Sequence, residues 1–345
     1  MKYVTLEEVC EQKTSNISQK NLKENHGNYP IYGASGLIKN INFYIQDKEY
    51  IAIVKDGSGV GRTMLLPPKS SVIGTMQYII PNNLLNIKYL YYAIVSMELS
   101  KYSSGATIPH IYFKDYKKEK IALISENEQK KIVNILDIII DIINKKKSQI
   151  NLLEELVKSR FIEMFGDPIR NEKGWEIDEW KNLFKTQTGK LDSNAMVEGG
   201  KYPFFTCAKE IFYIDEYLFN CEALILAGNN AAGIYDVKYY NGKFNAYQRT
   251  YVINLINKEY SYIFFKFLLE SKLKYLKDAS KGSSTRYLTM SILNNLRFIL
   301  PPLSLQNEFA EFVEKKDKLK FEAEKSLKEM ENLYDSLMQK FFKQN

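Results

Sequence analysis

With 345 residues and 45% hydrophobic content, the chain can bury an ample core and is too long for one ordinary domain, so two domains are expected. Lys and Arg outnumber Asp and Glu by 48 to 41, a net charge of +7 that suits a polyanionic partner and equally fits a bland basic surface. The three cysteines (Cys10, Cys207, Cys221) lack CxxC spacing and the two histidines (His26, His110) stand far apart, which argues against a metal site, while a sparse, odd cysteine set with no secretory leader points to the reducing cytoplasm.

Along the chain, residues 1 to about 124 read as short strands separated by turns, with one helical stretch at 87–100. The landmarks are Tyr29-Pro30-Ile31-Tyr32, then Phe43-Tyr44-Ile45, then the apolar strand Tyr50-Ile51-Ala52-Ile53-Val54 with its turn Asp56-Gly57-Ser58-Gly59-Val60-Gly61. The strand Met76-Gln77-Tyr78-Ile79-Ile80 and the loop Ser104-Gly105-Ala106-Thr107-Ile108-Pro109-His110-Ile111 follow, and a short strand at 121–124 leads to a helix.

That helix, 125–167, opens on a capping box made by Ser125 and Glu128. Its apolar residues Ile132, Leu136, Ile139, Ile143, Ile150, Leu153 and Val157 form a heptad seam broken at Lys146. Gly166-Asp167-Pro168 supplies the stop. The apolar run 132–143 is interrupted by Asn134, Asp137 and Asp141 and falls well short of the roughly 20 residues of a bilayer span, so no membrane segment is expected.

After the polar connection Asn171 to Gly174, Trp175 begins a second copy of the same order, spanning 168–302. Tyr202-Pro203-Phe204-Phe205 matches the first landmark, Phe212-Tyr213-Ile214 matches Phe43-Tyr44-Ile45, and Ala223-Leu224-Ile225-Leu226 with Gly228-Asn229-Asn230-Ala231-Ala232-Gly233 matches the central strand and turn. Arg249-Thr250-Tyr251-Val252-Ile253 takes the place of Met76 to Ile80, a helical stretch occupies 260–277, and Lys281-Gly282-Ser283-Ser284-Thr285-Arg286-Tyr287-Leu288 takes the place of Ser104 to Ile111. A strand at 298–300 then leads into a second helix, 303–345, with Phe309, Phe312, Leu319, Ala323, Met330, Leu337 and Phe341 on its seam and Lys316 at the matching kind of break.

Each helix runs about 40 residues, roughly 60 Å at 1.5 Å per residue, and a seam of that length needs a partner helix. The repeat supplies one. The expected fold is therefore α+β: two similar globular halves separated by two long helices that pair as an antiparallel coiled coil, with a pseudo-twofold internal repeat.

The motifs of catalysis are missing. Pro67-Pro68 and Pro301-Pro302 lack the acidic or amide neighbour of an amino-methyltransferase loop and read as proline pairs that end strands. Gly57 to Arg62 lacks the Gly-Lys-Ser/Thr ending of a phosphate loop and has the wrong spacing for a dinucleotide fingerprint. Lys118-Glu119-Lys120 and Glu314-Lys315-Lys316 are solvated charge runs rather than a nuclease centre, and no acyl-transfer triad is visible.

What remains is a binder with two reading heads, whose polar and basic turns recur at equivalent places. The first set is Lys55, Ser58, Arg62, Gln77, Lys101, Ser103, Ser104, Thr107 and His110. The second is Asn229, Asn230, Tyr247, Gln248, Arg249, Lys281, Ser283, Ser284, Thr285 and Arg286. Arg suits guanine and Gln or Asn suits adenine in the major groove, while Ser and Thr adapt to bases or phosphate.

The duplicated Tyr-Pro-aromatic opening, the Gly-Ala-Thr-Ile and Gly-Ser-Ser-Thr loops, Pro301-Pro302-Leu303-Ser304-Leu305-Gln306, and Phe161 to Pro168 ahead of Gly174-Trp175 resemble type I restriction-modification specificity subunits. The resemblance implies two target-recognition domains, each reading half of a bipartite, asymmetric site in double-stranded DNA. It also implies partners: two methyltransferase subunits on the helices and restriction/translocase subunits for cleavage. S-adenosylmethionine, magnesium and ATP would then belong to those partners, leaving this chain without cofactor or catalysis. Two other readings stay open: the same architecture in another bacterial modification or defence system, and a coiled-coil adaptor that binds protein.

Overall fold

The computed structural model describes residues 2–105 and 107–343, so Ala106 of the first loop, Met1, and Gln344 and Asn345 of the second predicted helix lie outside the described residues. The chain divides into two compact units, 1–148 with 324–345, and 149–323. Each holds one globular half and a stretch of both long helices.

In the first unit, strand Tyr50–Val54 is buried at every position because it has core on both faces. Ile51 and Ile53 face one hydrophobic cluster, and Tyr50, Ala52 and Val54 face another. It sits inside an antiparallel sheet ordered Cys10–Thr14, Met76–Pro81, Tyr50–Val54, Thr63–Leu66. In a smaller sheet the central strand Tyr29–Gly33 pairs antiparallel with Gly36–Ile41 on one side and parallel with Ser71–Val72 on the other. Lys2–Thr5 pairs antiparallel with Lys120–Leu123, the strand that feeds the first long helix.

The second unit repeats this plan. Its six-stranded sheet runs Phe184–Thr188, Thr250–Leu255, Phe219–Ala227, Val237–Ala246, Tyr202–Phe205, Phe212–Ile214, and Glu176–Glu179 pairs with Arg297–Leu300. Strand Val237–Ala246 is continuous where the first unit has two pieces, Thr63–Leu66 and Ser71–Val72. Pro67-Pro68 explain the interruption, since neither has an amide hydrogen to donate to a ladder.

Strand register corrects two of the expected correspondences. Ile41 pairs with Tyr29 as Ile214 pairs with Tyr202, so Lys39-Asn40-Ile41, not Phe43-Tyr44-Ile45, occupies the place of Phe212-Tyr213-Ile214. Likewise Ile51 pairs with Ile79 and Leu224 with Ile253, which moves the match by one residue and sets Gln77 against Tyr251. With a side-chain period of two, such a shift exchanges the faces of the whole strand.

The long helices are Glu126–Phe165 and Leu303–Phe342. Ser125 and Glu128 form the expected capping box: Glu128 Oε2 accepts from Ser125 N at 3.1 Å, and Glu128 N donates to Ser125 Oγ at 3.3 Å. At the other end the amide of Gly166 donates to Ile162 O, and Lys173 Nζ donates to the carbonyls of Glu163 and Met164, filling acceptors that a helix C-terminus leaves open.

Within each unit the two helices pair antiparallel. In the second, Glu154 meets Lys320 at 2.5 Å and Arg160 meets Glu308 at 2.8 Å, so rising numbers on one helix meet falling numbers on the other. Phe161 packs on Phe309 at 5.3 Å, and Phe165 on Phe264 at 4.7 Å. In the first, Val133, Leu136 and Met338 share a buried cluster with Tyr89 and Leu90 of helix Ile87–Ser96.

The predicted seam needs one substantive correction. Leu136, Ile139, Ile143, Val157, Phe309 and Ala323 are buried, and Ile132, Ile150, Leu153, Phe312, Met330, Leu337 and Phe341 are half-buried, but Leu319 is 52% exposed. The buried stripe of the second helix passes through Val313 and Met338 instead, with Lys316 and Lys320 half-buried between Val313 and Ala323. Leu136→Ala is expected to cost about 2–5 kcal/mol of stability, whereas Leu319→Ala is expected to stay within about 0.5 kcal/mol. Urea titration of the two variants checks the assignment.

Candidate nucleic-acid interface

In each half the chain leaves the double-faced central strand through a turn that is stitched to the loop preceding the last short strand. In the first half, Gly57 N donates to Pro109 O at 2.8 Å and Ile111 N donates to Lys55 O at 2.9 Å. In the second, Asn229–Asn230 pairs with Arg286–Tyr287 as a short antiparallel ladder, and Leu288 N donates to Gly228 O at 2.8 Å. The same stitch is made twice.

Each loop is also closed on itself. Ser104 and His110 exchange backbone hydrogen bonds of 2.9 and 2.8 Å, and Lys281 and Tyr287 exchange bonds of 3.1 and 2.8 Å. Gly105 and Gly282 occupy the same place in this closure, with φ of +95° and +97°. A Cβ on Gly105 would lie 2.6 Å from Ile108 O, and one on Gly282 would lie 2.2 Å from Thr285 O. Both conditions demand glycine. Gly282→Ala is therefore expected to open this loop while the rest of its unit stays folded; faster amide exchange confined to 281–288, against an unchanged strand 219–227, is the measurement.

The structure thus brings Lys55, Ser58, Ser104, Thr107 and His110 to one surface of the first half, and Asn229, Asn230, Lys281, Ser283, Ser284, Thr285 and Arg286 to the equivalent surface of the second. Arg62 joins the first group from the far side of its turn, where its guanidinium donates to Ala34 O at 2.6 Å and keeps further N–H groups for a ligand. Ser58, Ser104, Thr107, Ser283, Ser284 and Thr285 are exposed. Arg286 is half-buried, with one guanidinium nitrogen on Lys277 O at 3.0 Å.

Gln248 and Arg249 reach the second surface because Gly228 N donates to Arg249 O at 2.9 Å. Both side chains are exposed, and among the described residues neither Arg249 nor Lys281 has a salt-bridge partner. The first half makes the same bond between Lys55 N and Thr75 O at 2.9 Å, so exposed Thr75 stands where Arg249 does and was missed because the strands were aligned one residue out. Tyr247 is half-buried, its amide on Phe205 O.

Several predicted contacts carry other duties. Gln77 is only 2% exposed, and its amide nitrogen donates to the hydroxyl of buried Tyr116 at 2.5 Å; burial pushes the pKa of that phenol above the ordinary tyrosine value. Gln77 is therefore a core residue and not a base-reading one. Lys101 lies in the short 3-10 helix Leu99–Tyr102 that exposed Ser103 caps, ahead of the loop, and is held at 2.6 Å by Glu119, a hydrogen bond that raises its pKa, and Lys55 lies 3.5 Å from Asp56. Among the described residues no cluster of His, Cys, Asp or Glu could hold a metal ion, and no helix is long and apolar enough to cross a membrane.

A family model for the type I restriction modification DNA specificity domain matches residues 1–154 and again residues 172–332. The chain belongs to this family. Each match takes in one globular half and most of the long helix that follows it, which is the repeat seen in strands, stitch and loop. The type I restriction enzyme EcoDI specificity subunit of Escherichia coli is 41% identical over 139 residues, 40% of this chain and 30% of that one. The MjaIX specificity subunit of Methanocaldococcus jannaschii is 27% identical over 307 residues, 76% of this chain and 69% of that one. In fold, the crystal structure of a type I restriction-modification S subunit from M. genitalium superposes with a TM-score of 0.73 at 19% identity, covering 100% of this chain and 96% of that one. This specificity-family chain therefore aligns with less than a third of the E. coli subunit but with nearly the whole of the M. genitalium fold.

Proposed function

We propose that this chain is the DNA sequence-specificity subunit of a type I restriction-modification complex, acting in the cytoplasm and reading a bipartite, asymmetric site with one globular half per half-site. The observation that carries this reading is the duplicated stitch: two loops with the same backbone hydrogen bonds and the same obligatory glycine, Gly105 and Gly282, bearing different polar side chains. Identical scaffolds suit a common mode of approach to a groove, and different side chains suit different bases.

The chain works without catalysis of its own. Two methyltransferase subunits would supply S-adenosylmethionine chemistry at adenine, and restriction/translocase subunits would supply ATP- and magnesium-dependent cleavage. A subunit limited to recognition needs none of these groups, in keeping with the missing catalytic motifs. The moderate net charge of +7 fits loops that meet phosphate as well as bases.

The test is to reconstitute the chain with its methyltransferase subunits and map methyladenine across a genome by long-read sequencing. Arg249→Ala is expected to relax one position of one half-site by about 1–3 kcal/mol of discrimination and to leave the other half-site unchanged. Gln77→Ala is expected instead to lower stability by about 1–3 kcal/mol through the orphaned Tyr116 hydroxyl, with the motif intact. Methylation without a bipartite motif, or a motif indifferent to Arg249, would contradict the reading.

A further inference from the structure

At the tip of the first loop, Ile108 is 62% exposed, among the most exposed large hydrophobic side chains of the described residues. Its carbonyl is engaged within the loop. The carbonyl of Ile108 is apposed to Gly105 and lies 3.1 Å from His110 Nδ1, inside a loop already closed by the Ser104 and His110 pair. The side chain thus projects outward from a loop closed by backbone hydrogen bonds at its base.

The internal repeat provides a control for what this isoleucine is for. Thr285 occupies the same place in the second half, its carbonyl apposed to Gly282 as that of Ile108 is to Gly105. The same loop closes with Ser283, Ser284 and Thr285, all polar and exposed. The scaffold therefore does not need an apolar residue here. Nor does Ile108 belong to any of the hydrophobic clusters of its unit.

The surroundings favour nucleic acid over a protein surface. Ile108 is flanked by exposed Thr107 and Ser104, with Ser58 and Arg62 on the turn stitched to its loop. A protein partner that grips both halves alike would meet the same chemistry at both tips, whereas a reader of two different half-sites needs different chemistry on one scaffold.

We infer that Ile108 reads the C5-methyl group of a thymine in the major groove, making it a specificity-determining residue of the first half-site, and that the hydroxyl-bearing tip of the second half lacks this purely apolar contact. The major groove displays that methyl only at thymine, and apolar side chains are its natural complement. This inference rests on the function proposed above, and it predicts an A·T pair at the position under the loop.

Deoxyuridine tests it, because uracil keeps the base pairing of thymine and lacks the methyl. The full chain, reconstituted with its methyltransferase subunits, is titrated against a duplex carrying its mapped site with each thymine replaced in turn. At one position, within the half-site that does not respond to Arg249→Ala, replacement is expected to weaken binding roughly fourfold, the worth of one buried methyl group. Ile108→Ser, which has no methyl group to offer, is expected to bind thymine and uracil equally at that position, while Ile108→Leu retains the preference. Uracil tolerated at every thymine by the unaltered chain, or an uracil penalty that survives Ile108→Ser, overturns the inference. Failure of Ile108→Ser to assemble with the methyltransferase subunits, when Ile108→Leu assembles and tolerates uracil everywhere, assigns Ile108 to a protein contact and overturns it too. Absence of any bipartite site in the unaltered complex is a separate result, which removes the proposed function itself.

Discussion

Backbone hydrogen bonds between the turn after the central strand and the loop before the last short strand hold each half of this protein in working order. The strand is buried on both faces, so its end cannot move without disturbing two clusters, Ile51 and Ile53 on one side and Tyr50, Ala52 and Val54 on the other. The bonds from Gly57 to Pro109 and from Ile111 to Lys55 transfer that rigidity outward to polar residues that could not hold a fixed geometry alone. The proposed base readout would need this, because a hydrogen bond to a base edge discriminates only if the side chain cannot relax toward the wrong partner.

The long helices are tied to the same cores by a device that also appears twice. Gln129 and Gln306 are buried near the starts of their helices. Gln129 accepts from the amide of Asn86 at 2.7 Å and donates to Ile124 O at 3.0 Å; Gln306 accepts from the amide of Ser261 at 3.3 Å and donates to Pro301 O at 2.9 Å. Asn86 and Ser261 are the N-caps of the short helices Ile87–Ser96 and Tyr262–Ser271. Each glutamine thereby satisfies both ends of its amide in a place where an unpaired amide would be costly, and locks a globular half to the base of its own long helix. Gln306 stood within a motif singled out by resemblance, but its role was invisible until the partner amide was in place.

Much of the architecture was legible because it rests on periodicity. The capping box at Ser125 and Glu128, the helix stop at Gly166 and the strand endings at Pro67 and Pro301 are local, and local chemistry is written in neighbouring residues. The pairing register was not local. A β-strand aligned one residue out looks equally hydrophobic in a run such as Met76 to Ile80, so Gln77 read as a groove residue when the ladder with Tyr50–Val54 turns it inward to Tyr116. Leu319 failed for a related reason: a seam interrupted by half-buried Lys316 and Lys320 can be drawn through either neighbouring row of a helix, and only the opposing helix chooses.

The sequence by itself determined that the chain is one plan written twice, that each copy ends in a helix too long to stand alone, and that small polar loops recur at matching places. Those properties follow from covalent order and side-chain type. The tertiary structure decided which of the loop residues share a surface, why Gly105 and Gly282 are required to be glycine, that Thr75 stands in the place of Arg249, and that Ile108 projects from the tip of its loop. Each of these depends on backbone groups far apart in the chain meeting within hydrogen-bond distance, and no pattern in a single strand of sequence carries that information.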